Sequence, residues 1–115
     1  LNPYDKAHEL AGAIRRSEEF RQLLESWDGI KDVEDRGVLD RYRELQMEYQ
    51  VQVSQGKEVS GDSMRELEVL MKKIKERKDL SRVLEAEARI GTLMGDINRI
   101  VTEPLEKFYH SHWKK

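Results

Sequence analysis

The sequence predicts an all-α fold, a helical bundle with a long C-terminal helix whose surface favours self-association. Three observations predict it. Apolar residues recur at steps of three and four through most of the chain, the period of one helix face. Asn, Ser and Asp stand just before those stretches, where a helix N-terminus needs a side-chain acceptor. Only 7 Gly and 2 Pro occur in 115 residues, too few for a loop-rich or β-rich chain, and Glu, Lys, Arg and Leu abound.

Composition also limits function. Lys+Arg 21 against Asp+Glu 23 leaves a net charge of −2, although charged residues are 38% of the chain. The whole chain is therefore neither a polycation for nucleic acid nor an acidic tail. A chain this charged has a modest core, so its helices are expected to keep apolar surface for a partner. With Cys 0, disulfides, thiolate zinc and cysteine-ligated iron–sulfur sites are excluded within this chain. No stretch approaches the ~18 apolar residues of a membrane span. Residues 1–5 lack the basic-then-apolar layout of a signal peptide, so a cytoplasmic protein is expected.

The first helix opens at Asn2, a good cap, with Pro3 at its first position, where a missing N–H costs nothing. Tyr4, Ala7, Leu10, Ala11 and Ile14 draw its apolar stripe. Ser17 offers a break or a new cap, and Glu18 and Glu19 behind it suit a helix N-terminus. Phe20, Leu23, Leu24 and Trp27 make the second stripe, which Asp28 and Gly29 end. Asp32 caps a third helix with Glu34 and Asp35 in its first turn. Val38, Tyr42, Leu45, Tyr49 and Gln52 or Val53 then recur with heptad-like spacing, with Leu39 flanking. Gly56 reads as a left-handed stop.

After a polar turn, Ser63 and Glu66 have the spacing of a capping box for a short fourth helix. Leu67, Leu70, Met71 and Ile74 form its stripe, and the basic run at 72–78 forms its end. Asp79 is expected to cap a last helix from about Leu80 to at least Thr102. On it Val83, Ala86, Ile90, Leu93, Met94, Ile97, Ile100 and Val101 cluster on one side. Glu85, Arg89, Thr92, Asp96, Arg99 and Glu103 lie opposite, with Glu85–Arg89 and Arg99–Glu103 spaced for pairing, so that strip faces water. Pro104 predicts a kink or restart, since it removes a donor and presses on the carbonyl of Ile100. Leu105 and Phe108 keep the apolar phase. Residues 1–109 read as one domain without internal repeat, and 110–115 as a disordered or frayed tail.

Leu84, Ala88, Gly91 and Gly95 line a third face of the last helix. Two interior glycines cost roughly 1 kcal/mol each against alanine, and together they leave a flat groove for another helix. That helix belongs either to the same subunit or to a second chain. Ile90, Leu93, Met94, Ile97 and Val101 are expected as core, with Gly91 and Gly95 at the closest contact. Tyr42, Leu45 and Tyr49 are the matching packing residues of the third helix. Replacing Gly95 by Leu is then expected to destabilise by ~1–3 kcal/mol through overpacking.

Reactive chemistry is not legible in the sequence. Adjacent carboxylates arise by chance among 23 acids, and none is flanked by residues that would desolvate it. Glu87 falls beside an apolar face and reads as a snorkelling or hydrogen-bonded edge residue. His110 and His112, two apart, point roughly 200° from each other on a helix and make no two-point metal site. His8 stands alone. No catalytic, cofactor or metal residues are assigned. Lys72, Lys73, Lys75, Arg77 and Lys78 are the candidates for phosphate contact, the alternative being a solvated helix end that complements its dipole. No aromatics interleave them to stack bases.

The words Asn2-Pro3-Tyr4-Asp5-Lys6-Ala7-His8-Glu9-Leu10, Ser17-Glu18-Glu19-Phe20, residues 39–50, and 84–89 through 95–98 to Pro104-Leu105 span nearly the whole chain. In them the sequence resembles the YlbF/YmcA family of small helical proteins of Gram-positive bacteria, most closely its YheA-like branch. The resemblance implies an all-α bundle whose long helices self-associate, and a cytoplasmic regulatory or adaptor role without enzymatic activity. Better-studied members act in a complex with a further protein, affecting competence, sporulation and biofilm formation through messenger-RNA processing by ribonuclease Y. Their iron–sulfur clusters are bound through cysteines and do not carry over to a chain without any. The leading expectation is a non-enzymatic interaction module whose partner is itself, as a homodimer or higher oligomer, and through it other regulatory proteins. An RNA-binding accessory role through the basic run is the alternative.

Overall fold

In a computed structural model that describes residues 2–113, every regular element is helical. Among the described residues there are five: α1 Pro3–Arg15, α2 Glu18–Asp28, α3 Val33–Ser54, α4 Gly61–Glu76 and α5 Lys78–Trp113. Most boundaries follow from side-chain caps. Asn2 Oδ1 accepts the Tyr4 N–H at 2.8 Å, and Asp32 Oδ1 accepts that of Glu34 at 2.8 Å. Ser17 does double duty between α1 and α2. Its hydroxyl donates to the Ile14 carbonyl at 2.6 Å and accepts the Phe20 N–H at 3.1 Å. Beyond α3, Gly56 adopts φ 71°, the left-handed conformation that glycine takes without a Cβ clash.

Three boundaries differ from the sequence reading. The cap of α4 is Ser60, not Ser63: Ser60 is extended, and its hydroxyl accepts the Ser63 N–H at 3.1 Å. Ser63 is thus the third helical residue, and Glu66 is free to reach α3. Arg77, extended at φ −118° and ψ 120°, is the single residue that separates α4 from α5. Asp79 therefore lies in the first turn of α5, where its carboxylate accepts the Leu80 N–H at 3.0 Å. Finally, α5 runs through Pro104 without restarting and includes residues 110–113, the start of the expected tail. Ser111 helps there by donating to the Lys107 carbonyl at 3.0 Å. Residues 114 and 115 of that tail lie outside the described residues.

The chain divides into two compact units, one of residues 24–84 and the other of the described residues up to 23 and from 85 onward. In the first, Ile30, Leu39, Tyr42, Leu45, Leu70, Ile74, Leu80 and Val83 form one buried cluster. Leu80 and Val83 are 0% exposed, and full burial of such side chains contributes about 1.5–3 kcal/mol each. Leu39, expected to flank the α3 seam, is in its centre at 3% exposure, and Val38 is only partly buried. Burial pushes the Tyr42 phenol above its ordinary pKa; its oxygen accepts from Gln46 Nε2 at 3.1 Å.

Charged groups edge this core. Arg41 grips Glu66 across α3 and α4, Nε to Oε2 at 2.7 Å and Nη2 to Oε1 at 2.9 Å, and holds the Glu66 carboxyl below its usual range. Arg36 donates to the carbonyls of Trp27 and Ile30, closing the end of α2. Asp35 is buried, with Arg77 Nη2 2.8 Å from its Oδ2. Burial raises the Asp35 carboxyl; Arg77 opposes this, and Asp79 and Asp32 add to it.

The second unit is more thinly covered. Leu10, Ala11 and Ile14 of α1 and Phe20 and Leu23 of α2 are half-buried, as are Ile90, Leu93 and Ile97 of α5. Gly12 is buried in α1 and Ala86 in α5. Arg89 Nε donates to Gln22 Oε1 at 2.8 Å, tying α2 to α5.

Candidate interaction surface

The apolar stripe of α5 is longer than its cover. Val83 and Ala86 are 0% exposed, and Ile90, Leu93 and Ile97 are half-buried. Met94 is 45% exposed, Val101 58% and Ile100 65%. Leu105 and Phe108 continue the stripe at 59% and 50%, while Tyr109 and Trp113, at 53% and 80%, lie about 100° and 140° round the helix from Phe108. The periodicity that marks a buried face thus persists for three turns after burial has stopped. Single exposed apolar residues are ordinary, but a contiguous row of this length marks a surface made for contact.

Beside the row is a groove of about 650 Å³ between α1 and α5. Pro3, Ala7 and Leu10 line one wall, and Met94, Ile97 and Val101 are among the residues of the other. Lys6 also lines it, and its ammonium pairs with Glu9 at 3.2 Å. Past the groove the side chains of α5 make an aromatic end. The Phe108 and His112 rings stack with centroids 4.3 Å apart, and Tyr109 meets Phe108 edge-on at 5.4 Å.

The expected packing residues fall into separate surroundings. Tyr42 and Leu45 are core, whereas Tyr49 is 41% exposed, because the α3 stripe drifts outward toward the helix end. Ile90, Leu93 and Ile97 are half-buried, and Met94 and Val101, expected as core, are exposed. A Cβ built on Gly91 or Gly95 meets nothing within 4 Å. Among the described residues nothing stands within that distance, so the overpacking expected for leucine at 95 has no close atoms to act against. Of the expected pairs on the polar strip, Arg99 turns to Asp96 at 2.6 Å and Glu103 to Lys107 at 2.9 Å. The strip itself is exposed, as its charges require.

The basic run does not form one face. Lys72, Lys73 and Lys75 are exposed on α4, where steps of 100° per residue fan them around the helix end, and Lys78 begins α5. Arg77 is engaged by Asp35 and, at 3.7 Å, by Asp79. His8 is exposed on α1, and Glu87 is half-buried on α5. Among the described residues no group of three or more His, Asp or Glu is placed to hold a metal, and no helix is long and apolar enough to cross a membrane.

Sequence reasoning missed two features. The first is the far part of the aromatic end: the sequence reading keeps Phe108 in the apolar phase but sets His112 and Trp113 aside with the tail, although Met94, Ile97, Val101, Leu105, Phe108 and His112 keep a helical phase throughout. The second is buried Asp35, which has the sequence signature of any first-turn acid. Only its partner Arg77, 42 positions away, distinguishes it.

A family model described as "Control of competence regulator ComK, YlbF/YmcA" matches residues 4–106. The chain is 38% identical over 109 residues to a UPF0342 protein of Alkalihalophilus pseudofirmus, covering 94% of this chain and 92% of that one. It is 34% identical over 110 residues to a UPF0342 protein of Halalkalibacterium halodurans, covering 94% of each. The solved structure of yheA from Bacillus subtilis superposes with a TM-score of 0.69 at 26% identity, over 95% of this chain and all of that one. A protein of unknown function (DUF964) from Bacillus stearothermophilus, 22% identical, shares the fold with a TM-score of 0.75 over 95% of this chain and 96% of that one.

Proposed function

Because the chain belongs to the YlbF/YmcA family, we propose that it is a non-enzymatic regulatory module of the cytoplasm that works by helix-to-helix contact. Its first partner is a second copy of itself, and the assembled form presents helices to other regulatory proteins. The family is described by control of a competence regulator, which favours a role in a developmental decision of the cell.

One observation carries this reading: the bare continuation of the α5 stripe from Ile100 to Phe108, beside an open apolar groove. Water-exposed apolar area of that extent lowers solubility unless another surface covers it. No convergent set of acids, imidazoles or hydroxyls accompanies the groove, whose named polar members are Lys6 and Asn98. A phosphate-contact role for the basic run has less support, since its cations diverge and Arg77 is held by Asp35.

Sedimentation equilibrium at micromolar concentration tests the proposal. The expected result is a dimer or larger species that dissociates on dilution. A strictly monomeric mass, or steady turnover of a metabolite by pure protein, overturns it.

A further inference from the structure

We infer that the joint between α4 and α5 is a charge-operated latch: ionised Asp35 pins Arg77 in place, and uptake of a proton by Asp35 releases Arg77 and loosens the joint.

The break between the two helices has no breaker. Residues 72–83 contain neither Gly nor Pro, and Lys, Arg, Glu and Leu, which favour helix, predominate among them. Arg77 is nevertheless extended, at φ −118° and ψ 120°. The reason is phase. In one unbroken helix Leu80 and Val83 would lie about 130° round from Leu70 and Ile74, yet all four belong to a single buried cluster. Burial on both sides of Arg77 requires the break, while local preference opposes it.

Contacts at the joint hold the balance. The Ile74 carbonyl accepts the Arg77 N–H at 3.2 Å and the Ser81 hydroxyl at 2.8 Å. The Arg77 side chain ties the joint to the first turn of α3, with Nη2 2.8 Å from Asp35 Oδ2. That side chain is 52% exposed and the Asp35 side chain 6%. The guanidinium can therefore swing out into water, whereas the carboxyl stays inside. Asp35 Oδ2 accepts no aligned hydrogen bond, so charge rather than direction keeps the guanidinium beside it.

The charged groups that act on Asp35 are Arg77 of the joint, Asp79 of α5 and Asp32 at the cap of α3. Burial and the two acids favour its protonated form, and Arg77 alone opposes them. Arg77 thus stabilises only the ionised carboxyl. By linkage, a proton on Asp35 favours the departure of Arg77 as much as that departure favours the proton. The same proton removes a buried charge, so the whole chain gains stability from it while the joint loosens. Opposite signs for the chain and the joint are the signature of the latch.

Asp35→Asn carries the uncharged form to neutral pH. Trypsin acting on the native variant should cut after Arg77 about 5-fold faster or more than in the parent protein, although the variant resists urea better. Mass spectrometry reads that cut against the loop cut after Lys57 as internal reference. Equal or slower cutting after Arg77 would overturn the inference.

A second measurement needs no substitution. Hydrogen exchange of the parent protein is followed across the titration of Asp35, with rates corrected for the intrinsic effect of pH. Protection of the Arg77 and Ser81 amides, relative to that of Leu45, should fall by about 5-fold or more as Asp35 takes up its proton. A constant or rising ratio would overturn the latch.

Discussion

Ile74 and Ile100 are the same residue on the same kind of helical stripe, yet one is 1% exposed and the other 65%. Ile74 belongs to the unit of residues 24–84, where α3, α4, the end of α2 and the start of α5 supply neighbours on every side. Ile100 belongs to the other unit, where only α1 and the beginning of α2 accompany a long stretch of α5. Periodicity assigns a side chain to a face. Whether that face is covered depends on how many other faces the chain brings to it.

The largest contrast is in stability. Ile74→Ala should cost about 2–5 kcal/mol by leaving a cavity in a closed cluster, read by urea unfolding at low protein concentration. A loss under 1 kcal/mol would show that the cluster is loose.

Arg77→Ala comes next, because Asp35 then keeps a buried charge beside Asp79 and Asp32 with no cation. The melting temperature should fall by several degrees at neutral pH and recover when Asp35→Asn is added. The pH sign follows from the raised carboxyl. Stability from Asp35 is fully present below the ordinary carboxylate range and is lost as pH rises through its elevated folded value. Asp35→Asn should therefore gain on the parent protein as pH rises through that window. An identical pH profile for the two would remove Asp35 as the cause.

Ser60→Ala should cost about 1 kcal/mol, and Ser63→Ala distinctly less, since Ser60 is the residue whose hydroxyl accepts a backbone N–H at the start of α4. Equal losses in thermal unfolding would return the cap to the capping-box register.

In the thinly covered unit the signs change. Gly95→Leu should leave the isolated chain unharmed or more stable by up to ~1 kcal/mol, because open space surrounds the new side chain and leucine favours helix. A destabilised monomer would mean that another helix does pack there. Smallest of all, Ile100→Ala should change chain stability by no more than ~0.5 kcal/mol while weakening association. Those two readouts separate the covered half of α5 from the bare one.

The local signals at four helix ends read true. Asn2, Ser17, Asp32 and Gly56 start or stop helices as their side chains and φ preferences require. Ser60 was overlooked because Ser63 and Glu66 carry the more familiar spacing, and only the position of Arg41 on α3 shows that Glu66 is occupied elsewhere. Pro104 was weighed by its local cost, which a long helix absorbs at one position.

By itself the sequence determined the helices, their apolar faces, the absence of cysteine chemistry and the family, since these depend on residue type and spacing along the chain. Tertiary structure decided which apolar faces are closed and which are open, that Gly91 and Gly95 meet no neighbour, and that Arg77 is bound to a buried acid. Those outcomes depend on what stands across a few ångströms of space from residues distant in sequence, and no periodicity records that.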